Sequence, residues 1–143
     1  VMPHVYGTYP EDVWRARYDQ INDFERELAA SGCAILKIFL VVSQEEQKKH
    51  FLGRLDDPTK FWKFDISDLE ARDRWDEYMA AWQEVFEKTS TAAAPWYLVP
   101  ADNRWYSRAV VSELLRTTLK NMNMTWPGLD PDVDPDEVRR LLG

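Results

Sequence analysis

Residues 34–42 read Ala-Ile-Leu-Lys-Ile-Phe-Leu-Val-Val, and the capping box Ser43-x-x-Glu46 follows without a break. An apolar, β-rich run that lacks polar alternation is the pattern of a strand covered on both faces, and the capping box turns the chain straight into a helix. Together they predict a central parallel strand in a layered α/β fold, because parallel neighbours need helical crossovers that then cover the sheet. Pro95-Trp96-Tyr97-Leu98-Val99-Pro100 is the second short strand, again leading into a helix, from Asn103.

The remaining helices are legible from caps and period. Thr8-x-x-Glu11 is another capping box, and Trp14, Tyr18, Ile21, Phe24 and Leu28 recur at helical spacing until Gly32, which predicts an amphipathic helix over 11–31. Ser67-x-x-Glu70 opens a further helix that ends near Thr89, with Trp75, Tyr78, Met79, Trp82, Val85 and Phe86 on one stripe. The helix from Asn103 turns Tyr106, Val110, Val111, Leu114, Leu115 and Leu119 inward, completing a β-α-α-β-α order. Residues 123–143 form an acidic, proline-rich tail that ends in a short helix over 136–142, capped by Asp134.

Two strands do not make a stable sheet alone, so residues 1–122 are expected to be part of a larger parallel sheet. The connection from Val42 to Trp96 runs about 50 residues, whereas one crossover helix needs only roughly a dozen. A helical lid over about 44–90 is therefore expected to project between the strands 34–42 and 95–100.

Charge and cysteine usage exclude several classes of function. Lys and Arg number 18 against 25 Asp and Glu, a net charge of −7, and such a field repels nucleic acid and anionic membranes. No apolar run approaches the roughly 20 residues that span a bilayer, so the expectation is a soluble, cytoplasmic chain. Cys33 has only His4 and His50 for company, so neither a disulfide nor a metal set is expected, and Cys33 itself reads as a small core residue. Glycines stand at 7, 32, 53, 128 and 143, too far apart for a phosphate-cradling loop, and no nucleophile triad has a recognisable spacing.

Basic residues concentrate in one stretch of this acidic chain: Lys48, Lys49, His50, Arg54, Lys60 and Lys63. On a helix His50 and Arg54 stand one turn apart, with Phe51, Leu52 and Leu55 on the neighbouring apolar side. Two readings stand: an anion-holding face, or a solvated helix whose Lys48 and Lys49 pair with Glu45, Glu46 or Asp56. Among the seven tryptophans, Trp14, Trp75 and Trp82 lie on helical stripes and read as core. Trp62, between Lys60 and Lys63, either wedges its loop against the body or stacks on a base.

The motifs Trp14-x-x-Arg17-Tyr18-Asp19-Gln20-Ile21-Asn22-x-Phe24-Glu25, Ile35-Leu36-Lys37-Ile38-Phe39-Leu40 and Glu46-Gln47-Lys48-Lys49-His50-Phe51-x-x-Arg54-Leu55-Asp56-Asp57-Pro58 occur in order. Trp62-Lys63-Phe64, Arg74-Trp75-Asp76-x-Tyr78-Met79, Thr89-Ser90-Thr91 to Ala94-Pro95-Trp96-Tyr97, and Pro100-Ala101-Asp102-x-x-Trp105-Tyr106-x-Arg108 continue the series. Over roughly residues 9 to 120 the chain resembles the C-terminal half of the type-2 polyphosphate kinase family.

The resemblance implies a partial P-loop kinase-like α/β/α sandwich with a projecting helical lid. It also implies phosphoryl transfer between inorganic polyphosphate and nucleoside mono- or diphosphates. On it, Arg54 is the catalytic lid arginine, and Lys49, His50, Arg54 and Lys63 bind polyphosphate. A guanidinium fork brought in by a closing lid suits charge spread over equatorial phosphoryl oxygens. Relatives commonly carry Arg where His50 stands, and an imidazole lacks that fork. The family's phosphate loop and Mg²⁺ ligands lie in an N-terminal half that would precede Val1, so this chain alone is expected to be inactive. Removing sheet neighbours exposes the apolar flanks of Ala34–Val42, which predicts association with the missing half or into a homo-oligomer. The alternative is a non-catalytic polyanion-binding or assembly module on the same scaffold.

Overall fold

The computed structural model describes residues 1–130 and 132–143. In chain order its elements are α1 (Met2–Tyr6), α2 (Glu11–Ala30), β1 (Lys37–Val41), α3 (Gln44–Leu55), a 3-10 helix (Pro58–Lys63) and α4 (Ser67–Asp73). Then follow α5 (Trp75–Thr89), β2 (Trp96–Pro100), α6 (Arg104–Asn121) and α7 (Pro135–Leu142). β1 and β2 pair in parallel, Lys37 opposite Trp96 and Val41 opposite Pro100. This register puts Lys37, Phe39, Trp96 and Leu98 on one face of the sheet and Ile38, Leu40, Tyr97 and Val99 on the other.

On the first face Phe39 meets Trp82 and Phe86 of α5 at centroid distances of 4.7 and 5.1 Å, and Trp96 joins edge-on at 5.5 Å from Phe86. Each such aromatic pair contributes about 0.5–1.5 kcal/mol beyond the area it buries. α2 packs on α5, and α6 packs on β2, with Leu40 and Val111 lining one recess there. The result is helix, sheet and helix in layers, the α/β architecture that the two apolar runs imply. Lys37 is the one charge in its strand: its ammonium donates to the Glu25 carboxylate at 2.6 Å and to the Thr89 carbonyl at 2.5 Å. The side chains of Lys37 and Glu25 are only 10% and 12% exposed.

Several boundaries differ from the sequence reading, each for a physical reason. β1 starts at Lys37 rather than Ala34. Thr8 caps nothing: α2 begins after Pro10, whose ring presets its φ, and the short α1 precedes it, closed by Gly7 at φ 58°. α2 ends as expected at Gly32, φ 90°, where the amides of Gly32 and Cys33 return to the carbonyls of Ala29 and Leu28, a Schellman closure. Ser43 caps α3 through the Glu46 amide at 3.1 Å, and Asp134 caps α7 through that of Asp136 at 2.9 Å.

Ser67, by contrast, is not a cap. Its amide donates to Asp65, which holds that carboxyl below the usual range. The helix expected from 67 to 89 breaks at Arg74, whose guanidinium reaches back to the Val5 carbonyl, pairs with Glu77 and lies 4.6 Å from the Tyr6 ring centroid. α5 lies on the sheet through Trp82 and Phe86, and α3, the 3-10 helix and α4 precede it in the chain. Arg72 ties α4 back to α3, donating to the Gln44 carbonyl at 2.9 Å and to Gln47 at 2.7 Å. The Asp57 carboxylate clips the 3-10 helix by accepting from the Thr59 amide at 3.0 Å and hydroxyl at 2.7 Å while pairing with Lys60 at 2.7 Å. Lys60 first, then Thr59, hold its carboxyl down at about 2.

Lys37→Met leaves the Glu25 carboxylate buried without its cation, so urea denaturation should show a loss of about 3–5 kcal/mol. Adding Glu25→Leu should restore most of it, since a buried pair replaced by apolar groups is often neutral. No loss in the single variant would remove the pair from its structural role. For Asp57 the depressed carboxyl contributes stability that is complete above the unfolded carboxylate value of about 3.9 and is lost as pH falls through about 2. NMR titration of its carboxyl should therefore give a midpoint near 2 that moves up in Lys60→Ala.

Candidate functional site

The carboxyl ends of both strands meet at one clasp. The ladder runs one bond past the sheet, with the Ala101 amide donating to the Val41 carbonyl at 2.8 Å, and the Ser43 amide then donates to the Asp102 carboxylate at 2.7 Å. The bond from that amide holds the Asp102 carboxyl below its usual range, helped by the Ser43 side chain and by the charges of Lys49 and His50. Each strand leads from this clasp into a helix, β1 into α3 and β2 into α6. In open α/β sheets such strand ends are where ligands bind.

Here a cavity of about 430 Å³ is lined by Lys49, His50, Gly53, Arg54, Lys60, Lys63 and Arg104. The four residues singled out in the sequence, Lys49, His50, Arg54 and Lys63, thus converge on one space. Arg104 was missed. It is the first residue of α6, where the positive end of the helix dipole adds to its charge, and its place just beyond the second strand is the signal that would have found it.

The pairing of these cations separates the two sequence readings residue by residue. Lys49 and His50 both reach Glu46, at 3.2 and 3.3 Å, and Lys60 reaches Asp57, which is the behaviour of a solvated face. Arg54 makes only a 3.4 Å contact with Asp68, donates to the Lys63 carbonyl at 3.2 Å and lies 5.4 Å from the Phe51 ring centroid. Among the described residues Lys63 and Arg104 have no carboxylate within 4.0 Å. Exposed ion pairs are worth about 0–1 kcal/mol, so a multivalent anion displaces them at little cost. Lys48 lies elsewhere, beside the apolar recess of Phe51, Leu52, Leu55 and Phe64.

Two expectations are corrected at this end of the molecule and one at the other. Trp62 does not wedge its loop: its indole is 79% exposed, with Lys63 5.0 Å from the ring centroid. Lys48 makes none of the pairs expected of it with Glu45, Glu46 or Asp56 among the described residues. Cys33 is exposed rather than in the core, because β1 begins only four residues later and Gly32 turns the chain outward. Among the described residues no three His, Cys, Asp or Glu side chains converge, and no helix is long and apolar enough to cross a membrane.

The geometry has close counterparts. The sequence matches the polyphosphate kinase 2 family over residues 1–127. It is 46% identical over 128 residues to an uncharacterized Leptolyngbya boryana protein, covering 90% of each chain. To an AMP/ADP-polyphosphate phosphotransferase of Meiothermus ruber it is 46% identical over 123 residues, 86% of this chain but 46% of that one. The crystal structure of polyphosphate kinase 2 from Arthrobacter aurescens superposes with a TM-score of 0.91 at 42% identity, covering 99% of this chain and 50% of the other. The chain thus spans nearly all of one relative and about half of the two named kinases. On this sequence match and this superposition, the chain belongs to the polyphosphate kinase 2 family.

Proposed function

We propose that this chain is the C-terminal, lid-bearing part of a phosphotransferase that moves phosphoryl groups between inorganic polyphosphate and nucleoside mono- or diphosphates. The observation that carries the reading is the cavity at the strand ends, where six basic side chains converge in a chain of net charge −7. The activity named for the Meiothermus relative supports it.

In this reading Gln44–Asp73 is the lid, hinged on the clasp between Ser43 and Asp102. Lys49, His50, Lys63 and Arg104 hold successive phosphates of the polyanion. Arg54, weakly paired in the open cavity, turns its fork to the transferring phosphoryl group, where positioning and charge neutralisation supply most of the catalysis. The chemistry also calls for Mg²⁺ and a phosphate loop. In this reading both belong to an N-terminal half. The half-covered sheet supports assembly with that half or into a homo-oligomer.

The second reading is a non-catalytic polyanion-binding module, since the same basic cavity can hold a polyanion without transferring a phosphoryl group. The two separate cleanly. By itself the chain should bind polyphosphate and show no transfer to ADP or AMP; transfer appearing when the N-terminal half of a relative is added in trans supports the enzyme, and its absence supports the module.

In the complete enzyme Arg54→Ala should lower kcat by about 10²–10³, the value of one charge-assisted contact made in the transition state. Lys48→Ala, outside the cavity, should change it little. Equal small effects would return the basic cluster to a solvated face. His50→Arg should tighten polyphosphate binding or leave it unchanged, since a guanidinium offers a donor fork that an imidazole lacks. A KM for polyphosphate that rises in this variant would remove His50 from the phosphate contacts.

A further inference from the structure

We infer that Trp62 is the platform on which the base of the nucleotide stacks, an assignment that rests on the basic cavity being a phosphate site. The indole is 79% exposed, yet it is held in place: its Nε1–H donates to the Thr59 carbonyl at 3.0 Å, inside the 3-10 helix that Asp57 clips. That helix uses its neighbour Phe64, not Trp62, to pack on α3, through an edge-on contact with Phe51 at 6.3 Å. A large apolar ring is thus presented to solvent in one fixed orientation, so little conformational entropy remains to be lost when a flat partner stacks on it.

Its surroundings specify that partner. Lys63 both lines the cavity and sits 5.0 Å from the Trp62 ring centroid, so the ring stands beside one of the cations of the phosphate site. Trp105 and Trp126 are also exposed, at 71% and 96%, but neither makes a side-chain hydrogen bond among the described residues or has a cation over its ring. A π face beside a cationic groove is the arrangement that binds nucleotides with tolerance for base identity, because every base has a face to stack. Trp62 therefore recognises that the phosphate carrier is a nucleotide, and a purine, with the larger face, should be held better than a pyrimidine.

The test compares AMP with ribose 5-phosphate, which carries the same phosphate and sugar without the base, by calorimetric titration of the chain. The wild-type chain should bind AMP about tenfold or more tighter, the value of one base–aromatic stack. Trp62→Ala should bring the two ligands to within about twofold, and Trp62→Phe should keep most of the preference. An undiminished preference in Trp62→Ala, or no preference in the wild type, overturns the assignment. Failure of the underlying phosphate site reads differently: polyphosphate binding that is absent, or unaffected by Arg54→Ala.

Discussion

One ammonium joins the layers of this fold. Lys37 interrupts an otherwise apolar strand, and such a charge is tolerated in a nearly buried position only where its donors are satisfied. Glu25 on α2 supplies the countercharge, and the Thr89 carbonyl supplies the negative end of the α5 dipole. The Trp96 ring of β2 lies 5.4 Å away, centroid to ammonium. The contact also organises its own partners. The Trp96 indole donates to the Thr89 hydroxyl at 2.9 Å, which donates to the Val85 carbonyl at 2.6 Å, so the end of α5, the start of β2 and the face of α2 are fixed together.

Fixing the sheet at this end determines what its other end can do. With five-residue strands in register, the Val41 and Pro100 ends are as well placed as the Lys37 and Trp96 ends, and the clasp from Ser43 to Asp102 passes that order on to α3 and α6. The electrostatics there are local. A net charge of −7 repels anions at a distance, but screening confines exposed charges to about 8 Å at physiological salt, so inside the cavity the six basic groups dominate. A ligand gains from such a site in proportion to the charges it presents at close range, which favours a multivalent anion over a monovalent one.

The parts legible in the sequence were those set by local chemistry or by burial on both sides. The unalternating runs at 34–42 and 95–100 gave a parallel pair, and the caps at Ser43 and Asp134 form the bonds expected of them. What escaped was decided by residues distant in sequence. The Arg74 break depends on Val5 and Tyr6, some 69 positions away, and at Ser67 the backbone bond to Asp65 displaces the cap that the spacing suggests. Likewise Arg104 looks like an ordinary helix-opening residue until the fold brings β2 beside β1. The neighbours of Trp62 in sequence, Lys60 and Lys63, suit a wedge and a platform equally; in the fold Phe64 takes the packing role and Trp62 stays exposed.

The core itself ties fold to function. Among the described residues the buried apolar ones are Val5, Ala81, Ala94, Val99 and Ala101, and Leu40 and Leu98 of the strands are about half exposed, at 51% and 52%. Parallel sheets are stable when both faces and both flanks are covered, because each strand is apolar on both sides. The two strands here, apolar but for Lys37, are covered only in part and leave apolar area open to a further surface. On the proposed reading that surface is the half that carries the phosphate loop. The same apolar contacts that complete the sheet then bring the loop to the strand ends where Arg54 and Arg104 lie. Catalytic competence is in that case a consequence of sheet completion, and Leu40, Leu98 and their new neighbours govern activity through assembly without touching substrate.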